Sequence, residues 1–162
     1  MRPSRAILGA AIALGAIFVS ACGSDSGALG SAGGGDGGTT GPAGAEQICV
    51  DKINEYRATL GLPPYARWTD QESCSSGEAK SDSMSGTAHG AFGTCGEFAQ
   101  NECPGWPGPP ETMIPKCLEL MWGEGPGGGH YENMKGSRGY TKAACGFFVK
   151  PDGSVWSVQN FK

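Results

Sequence analysis

Cysteine placement constrains this chain more than any other feature. Of its seven cysteines, Cys22 closes an apolar stretch, while Cys49, Cys74, Cys95, Cys103, Cys117 and Cys145 are spread through the rest. No two are spaced as Cys-x-x-Cys, the pairing expected of a zinc-thiolate site. In an oxidising compartment these six read as three disulfides, with fifteen pairings open. The cysteines therefore read as structural.

The compartment is legible at the amino terminus. Arg2 and Arg5 form a positive start, and "AILGAAIALGAIFVS" is an apolar run too short to span a bilayer comfortably. Residues 1–21 thus read as a secretion signal. "VSAC", Val19 to Cys22, resembles the bacterial lipobox, in which cleavage precedes the cysteine and fatty acyl groups are attached to it. An ordinary signal peptide and an uncleaved anchor are the plainer alternatives. The expectation is an exported protein, lipid-anchored through Cys22 in the bacterial cell envelope or on the cell surface. Residues 22–45 are mostly Gly, Ser, Ala and Thr with too little apolar bulk to offset ordering, a flexible tether of roughly 25 Å mean reach. The net charge is −4, with no Lys/Arg cluster, so nucleic acid is not an expected partner. Membrane contact would come from acyl chains and not from a basic surface.

A domain follows over residues 46–162. In "EQICVDKINEYRATLGLPP", Cys49, Ile53, Tyr56 and Leu60 share one helical face, and Gly61, Pro63 and Pro64 end it. A second helix fits "TDQESCSSGEAKSDSM", with Thr69 and Glu72 as a capping box. A third fits "PETMIPKCLELMW", with Met113, Cys117, Leu120 and Met121 on one face. Pro115 then belongs in or near its first turn, or the helix starts later than Glu111. "CPGWPGPP" reads as a rigid loop that could expose Trp106 to a ligand, whereas Trp122 and Trp156 read as core residues. "AACGFFV", "KPDG" and "SVWSVQNF" read as two strands around an Asp152-Gly153 turn. Helices first and strands last predict an α+β domain.

Four segments together resemble the CAP superfamily (cysteine-rich secretory, antigen 5 and pathogenesis-related 1, or SCP, domains), in the form of a bacterial lipoprotein. "INEYRATLGLPPYARW" is similar to that family's opening helix, and "AHGAFGTCGEFAQNE" to its histidine followed by Cys-Gly-Glu-Asn. "GHYENM" is similar to its Gly-His-Tyr-Thr-Gln, and "YTKAACGFFVKPDGSVWSVQNF" to its closing hairpin. Phe98 departs from the pattern by standing where the family usually has Asn, and the segment ahead of His130 is short. The resemblance implies an α-β-α sandwich in which helices flank a small, mainly antiparallel sheet.

It also implies a cleft tetrad of His89, Glu97, Glu124 and His130, with Glu119 as the alternative second glutamate. His89 and His130 would hold a divalent metal such as zinc, the carboxylates orienting waters or imidazoles. Glu132 is expected outside the cleft, with Asn133 as a polar support. No HExxH helix or G-x-S-x-G elbow occurs, and Gly90 follows His89 where the family often has a hydroxyl residue. The preferred reading is a binding module for a lipid, a metal or another envelope component. A metal-assisted hydrolase using the same cleft and a purely structural envelope protein are the alternatives.

Overall fold

In the computed structural model, residues 44–162 are described. The signal segment, Cys22 and all but the end of the tether lie outside the described residues. Helix α1, Ala45–Thr59, opens one residue earlier than expected. Cys49 and Ile53 are buried on it, whereas Leu60, its C-cap, is 46% exposed. Asn54 binds both backbone groups of Tyr65, donating to its carbonyl at 3.0 Å and accepting its N–H at 2.7 Å. Arg57 is buried beneath the same turn and donates to the carbonyls of Pro63, Met134 and Lys135. Its guanidinium stacks 3.6 Å from the Tyr65 ring centroid. Buried charge is tolerated there because its donors find acceptors.

Strand β1, Ala66–Arg67, leads into a 3₁₀ turn at Thr69–Gln71 and helix α2, Glu72–Ser85. The expected capping box does not form, since no side chain caps either element. Glu72 instead takes two hydrogen bonds from Arg67, at 2.5 and 2.8 Å. Strand β2 spans Ala99–Pro107, helix α3 Pro110–Gly123 and helix α4 Gly129–Lys135. The reading of "CPGWPGPP" as a loop is thus half corrected, because Cys103 to Pro107 belong to a strand with a bulge between Cys103 and Trp106. Helix α3 begins ahead of Glu111 and carries Pro115 in its second turn. Its buried face is Met113, Ile114, Cys117, Leu118 and Met121, while Leu120 is 65% exposed. Strands β3, Lys142–Val149, and β4, Ser154–Phe161, form the expected hairpin.

The sheet order is β1-β3-β4-β2, with β1 parallel to β3 and the other pairs antiparallel. Adjacent strand residues face opposite sides, and β3 shows what each side holds. Cys145 is bonded to Cys49 of α1, and Gly146 lies against Ser75 of α2. Helices α1, α3 and α4 cover one face with an apolar core that includes Ile53, Ile114, Leu118, Met134 and Phe161. Trp122 is half-buried there between Tyr56 and Tyr131, ring centroids 5.1 and 4.4 Å away. Helix α2 covers the other face. Its buried residues are Ser75, Glu78, Ala79 and Asp82, so this interface is made of small and acidic side chains. A Cβ on Gly146 would lie 2.2 Å from the Ser75 and Ser76 backbone, so only glycine lets the helix approach this closely. The three-layer α+β architecture is as expected, with disulfides Cys49–Cys145, Cys74–Cys95 and Cys103–Cys117.

Candidate functional site

The segment joining α2 to β2, residues 86–98, carries His89, Phe92 and Glu97, and every backbone N–H from 89 to 96 has a partner. Even-numbered ones close tight turns: Gly90 to Thr87, Phe92 to His89, Thr94 to Ala91 and Gly96 to Gly93. Odd-numbered ones donate to four buried carboxylates. His89 donates to Glu102 at 2.5 Å, Ala91 to Asp82 at 2.8 Å and Cys95 to Glu78 at 3.3 Å, and Gly93 donates to Glu97. Glu78 and Asp82 come from successive turns of α2, and Glu102 from the α2-facing side of β2.

Burial raises three of these acids above their ordinary range. Glu78 is pushed up to about 7 by burial and by the neighbouring Glu97, against the hydrogen bond from Asn160. Asp82 and Glu102 are raised by burial, partly offset by the N–H groups they accept. One oxygen each of Asp82, Glu97 and Glu102 is buried without a hydrogen-bond partner among the described residues. Such an oxygen is costly to bury as part of a charged carboxylate. Glu78 and Glu97 bring carboxylate oxygens within 4.8 Å of each other, which adds to the effect of burial on Glu78.

This network fixes the ring of His89, whose φ is +59°. Gln100 spends its amide N–H groups on Glu78 and Asn160, each at 3.1 Å, so its oxygen faces His89 Nδ1 at 2.9 Å. Nδ1 therefore carries the proton, and Nε2 is left as an acceptor.

The opposite wall is the joint between α3 and α4. Glu124 caps α3 and holds His130 twice, accepting its backbone N–H at 3.1 Å and facing Nδ1 at 2.5 Å. Burial would raise the Glu124 carboxyl, but its bonds to His130 outweigh this and hold it below its ordinary value. Gly128 makes the fold-back possible, since a Cβ there would lie 2.4 Å from that of Glu124. Of the two candidates for the second glutamate, Glu124 is the one in contact with His130.

Between the walls lies an open cleft of about 580 Å³, its lining including His89, Phe92, Phe98, Gln100, Asn133 and Arg138. Phe92 is 49% and Phe98 64% exposed. Glu132, expected outside, also lines the cleft. It accepts from Gly127 N at 3.0 Å and from the Ser137 hydroxyl, with Lys135 3.8 Å away. The Ser137 bond comes first in holding its carboxyl below the ordinary range. Asn133 supports the wall as expected, donating to Asn101 Oδ1 at 3.0 Å. Trp106 is half-buried elsewhere, over a smaller pocket of about 170 Å³ beside Lys116.

The tetrad is therefore divided. His89 lines the cleft, Glu124 and His130 pair at its far joint, and Glu97, 6% exposed, turns back toward Glu78. Among the described residues, the only three-donor group within 4.8 Å is Glu78, Cys95 and Glu97. Cys95 is bonded to Cys74 and offers no thiolate. Zinc, which the resemblance implies, needs three or four protein donors in a usual site. Neither histidine stands in such a group, so the donor set as arranged does not fit that metal.

Glu78, Asp82, Gln100 and Glu102 were not singled out in the sequence. Their signals are spacing alone: an i, i+4 acidic pair on a helix, and alternate residues of a strand whose second half reads as a loop. No protein-family model and no curated protein matches the chain.

Proposed function

We propose that the chain is an exported, lipid-anchored member of the CAP type whose domain is a binding module, its cleft taking up a component of the cell envelope. The observation that carries this reading is the open cleft with two exposed phenylalanine rings on a rigid, disulfide-tied loop. Exposed aromatic rings beside converging polar groups are a common make-up of ligand sites. Both imidazoles are engaged through Nδ1 by acceptors, and no Ser or Cys is bonded to either among the described residues. With no such nucleophile bonded to either ring, recognition is favoured over nucleophilic catalysis. The lipobox-like "VSAC" and the Gly-rich residues after it supply the anchoring half of the proposal.

The test uses the full-length protein in its own cells, with a photoreactive phenylalanine analogue at Phe92. The same analogue at Leu120, exposed on α3, serves as control. Adducts with an envelope component are expected from position 92 alone, and their loss on adding Phe98→Ser. No adduct from 92, or equal adducts from both positions, would sink the reading.

A further inference from the structure

The cleft has a charge and texture that narrow its ligand, provided that it is a binding site as proposed. Arg138 faces it, and no carboxylate pairs with Arg138 in any ion pair among the described residues. The one carboxylate in the lining, Glu132, has both oxygens occupied by its own neighbours and Lys135 beside it. Lys162 lies 5.1 Å from the Phe98 ring centroid and adds positive charge at that rim. The charge left for a ligand to meet is therefore positive.

The open, mixed lining disfavours a buried acyl chain. The two exposed phenylalanine rings share the open cleft with the polar side chains of His89, Gln100 and Asn133. A hydrocarbon chain laid there would leave much of itself in water and cover polar groups without pairing them. A peptide strand adding to β2 is also disfavoured beside α4, where Asn133 already donates to the Gln100 carbonyl of that strand at 3.4 Å. A sugar ring suits both surfaces. Its C–H face packs on an aromatic ring, and its hydroxyls can donate to His89 Nε2, the ring nitrogen that the Gln100 bond leaves as an acceptor.

We infer that the cleft binds an acidic oligosaccharide, with sugar faces on Phe92 and Phe98 and a carboxylate on the Arg138 guanidinium. A guanidinium holds a carboxylate through two parallel, charge-assisted bonds, which distinguishes an acid from a neutral sugar of the same shape.

The experiment is calorimetric titration of the full-length protein with a uronic acid tetrasaccharide and with its methyl ester. The ester keeps the skeleton and removes the charge. The acid is expected to bind about tenfold or more tightly than the ester. Arg138→Gln should abolish that preference by weakening the acid, and Phe98→Ser should weaken both ligands. Equal affinity for acid and ester, or no response to Arg138→Gln, overturns the assignment. If neither sugar binds while the Phe92 adducts persist, the ligand class is wrong and the cleft remains a binding site. If the adducts are also absent, both fall.

Discussion

Glu78 is 2% exposed and accepts hydrogen bonds from Cys95 N, Gln100 Nε2 and Asn160 Nδ2. Because its carboxyl is raised from 4.5 to about 7, the folded chain holds a proton that the unfolded chain releases. Its stabilising contribution is complete below about 4.5 and is lost as pH rises through about 7. Asp82 and Glu102, also raised, act in the same sense. Glu124 is lowered and acts oppositely, losing its contribution as pH falls. The melting temperature is therefore expected to be highest in mild acid and to drop by several degrees between pH 5 and pH 8. Glu78→Gln, which mimics the protonated group, should flatten that drop, and thermal melts across pH would check it. A profile that rises steadily from acid to base would contradict the assignment. None of this was legible in the sequence, where Glu78 and Asp82 look like solvent-facing acids on a polar helix. Burial depends on what lies across from a helix, and Gly146 and Asn160 are far away in sequence.

Among elements, α2 depends most on a single opposing residue. Gly146→Ala would place a methyl group against the backbone of Ser75 and Ser76, where no rotamer change can relieve it. A destabilisation of about 3 kcal/mol is expected, measurable by urea unfolding. A change within error would mean that the helix can shift at little cost. Helix α1 and the β3–β4 hairpin were readable because their apolar periodicity and turn residues agree. Strand β2 was hidden by Pro104, Gly105 and Pro107. These residues are tolerated because β2 is an edge strand, and its bulge falls among them. Helix α4 was hidden for a different reason. It has seven residues, too few to show a period, and it stands by burying Tyr131 and Met134 and by its joint to Glu124. That Glu124 lies near His130 was readable because a helix end and a glycine turn place it locally. The position of Glu97 was not, since its partner Glu78 lies on another element.

At the scale of the molecule, the disulfides fasten each major helix to the sheet or to the loop beside it. Cys49–Cys145 ties α1 to β3, Cys103–Cys117 ties α3 to β2, and Cys74–Cys95 ties α2 to the cleft loop. Their sequence separations of 96, 21 and 14 residues correspond to loop-entropy contributions of about 5, 3 and 3 kcal/mol. Net domain stability is of that order, about 5–15 kcal/mol. Full reduction is therefore expected to abolish the cooperative thermal transition, and a melt with and without reductant would show it. An unchanged transition would mean that the apolar core and the α2 interface hold the domain unaided. That six cysteines would form three bonds was readable; which bonds could not be, because pairing is decided by how layers stack.

The alternation of N–H partners along residues 89 to 96 separates the frame of this loop from its content. Three of the four acids that hold its shape, Glu78, Asp82 and Glu102, lie outside it, and they grip backbone atoms that nearly every amino acid supplies. A side chain such as that of Phe92 is thus free to vary without disturbing the path of the chain. A lineage could exchange one ligand for another by rewriting a few loop residues, while the buried acids continue to hold whatever replaces them in place.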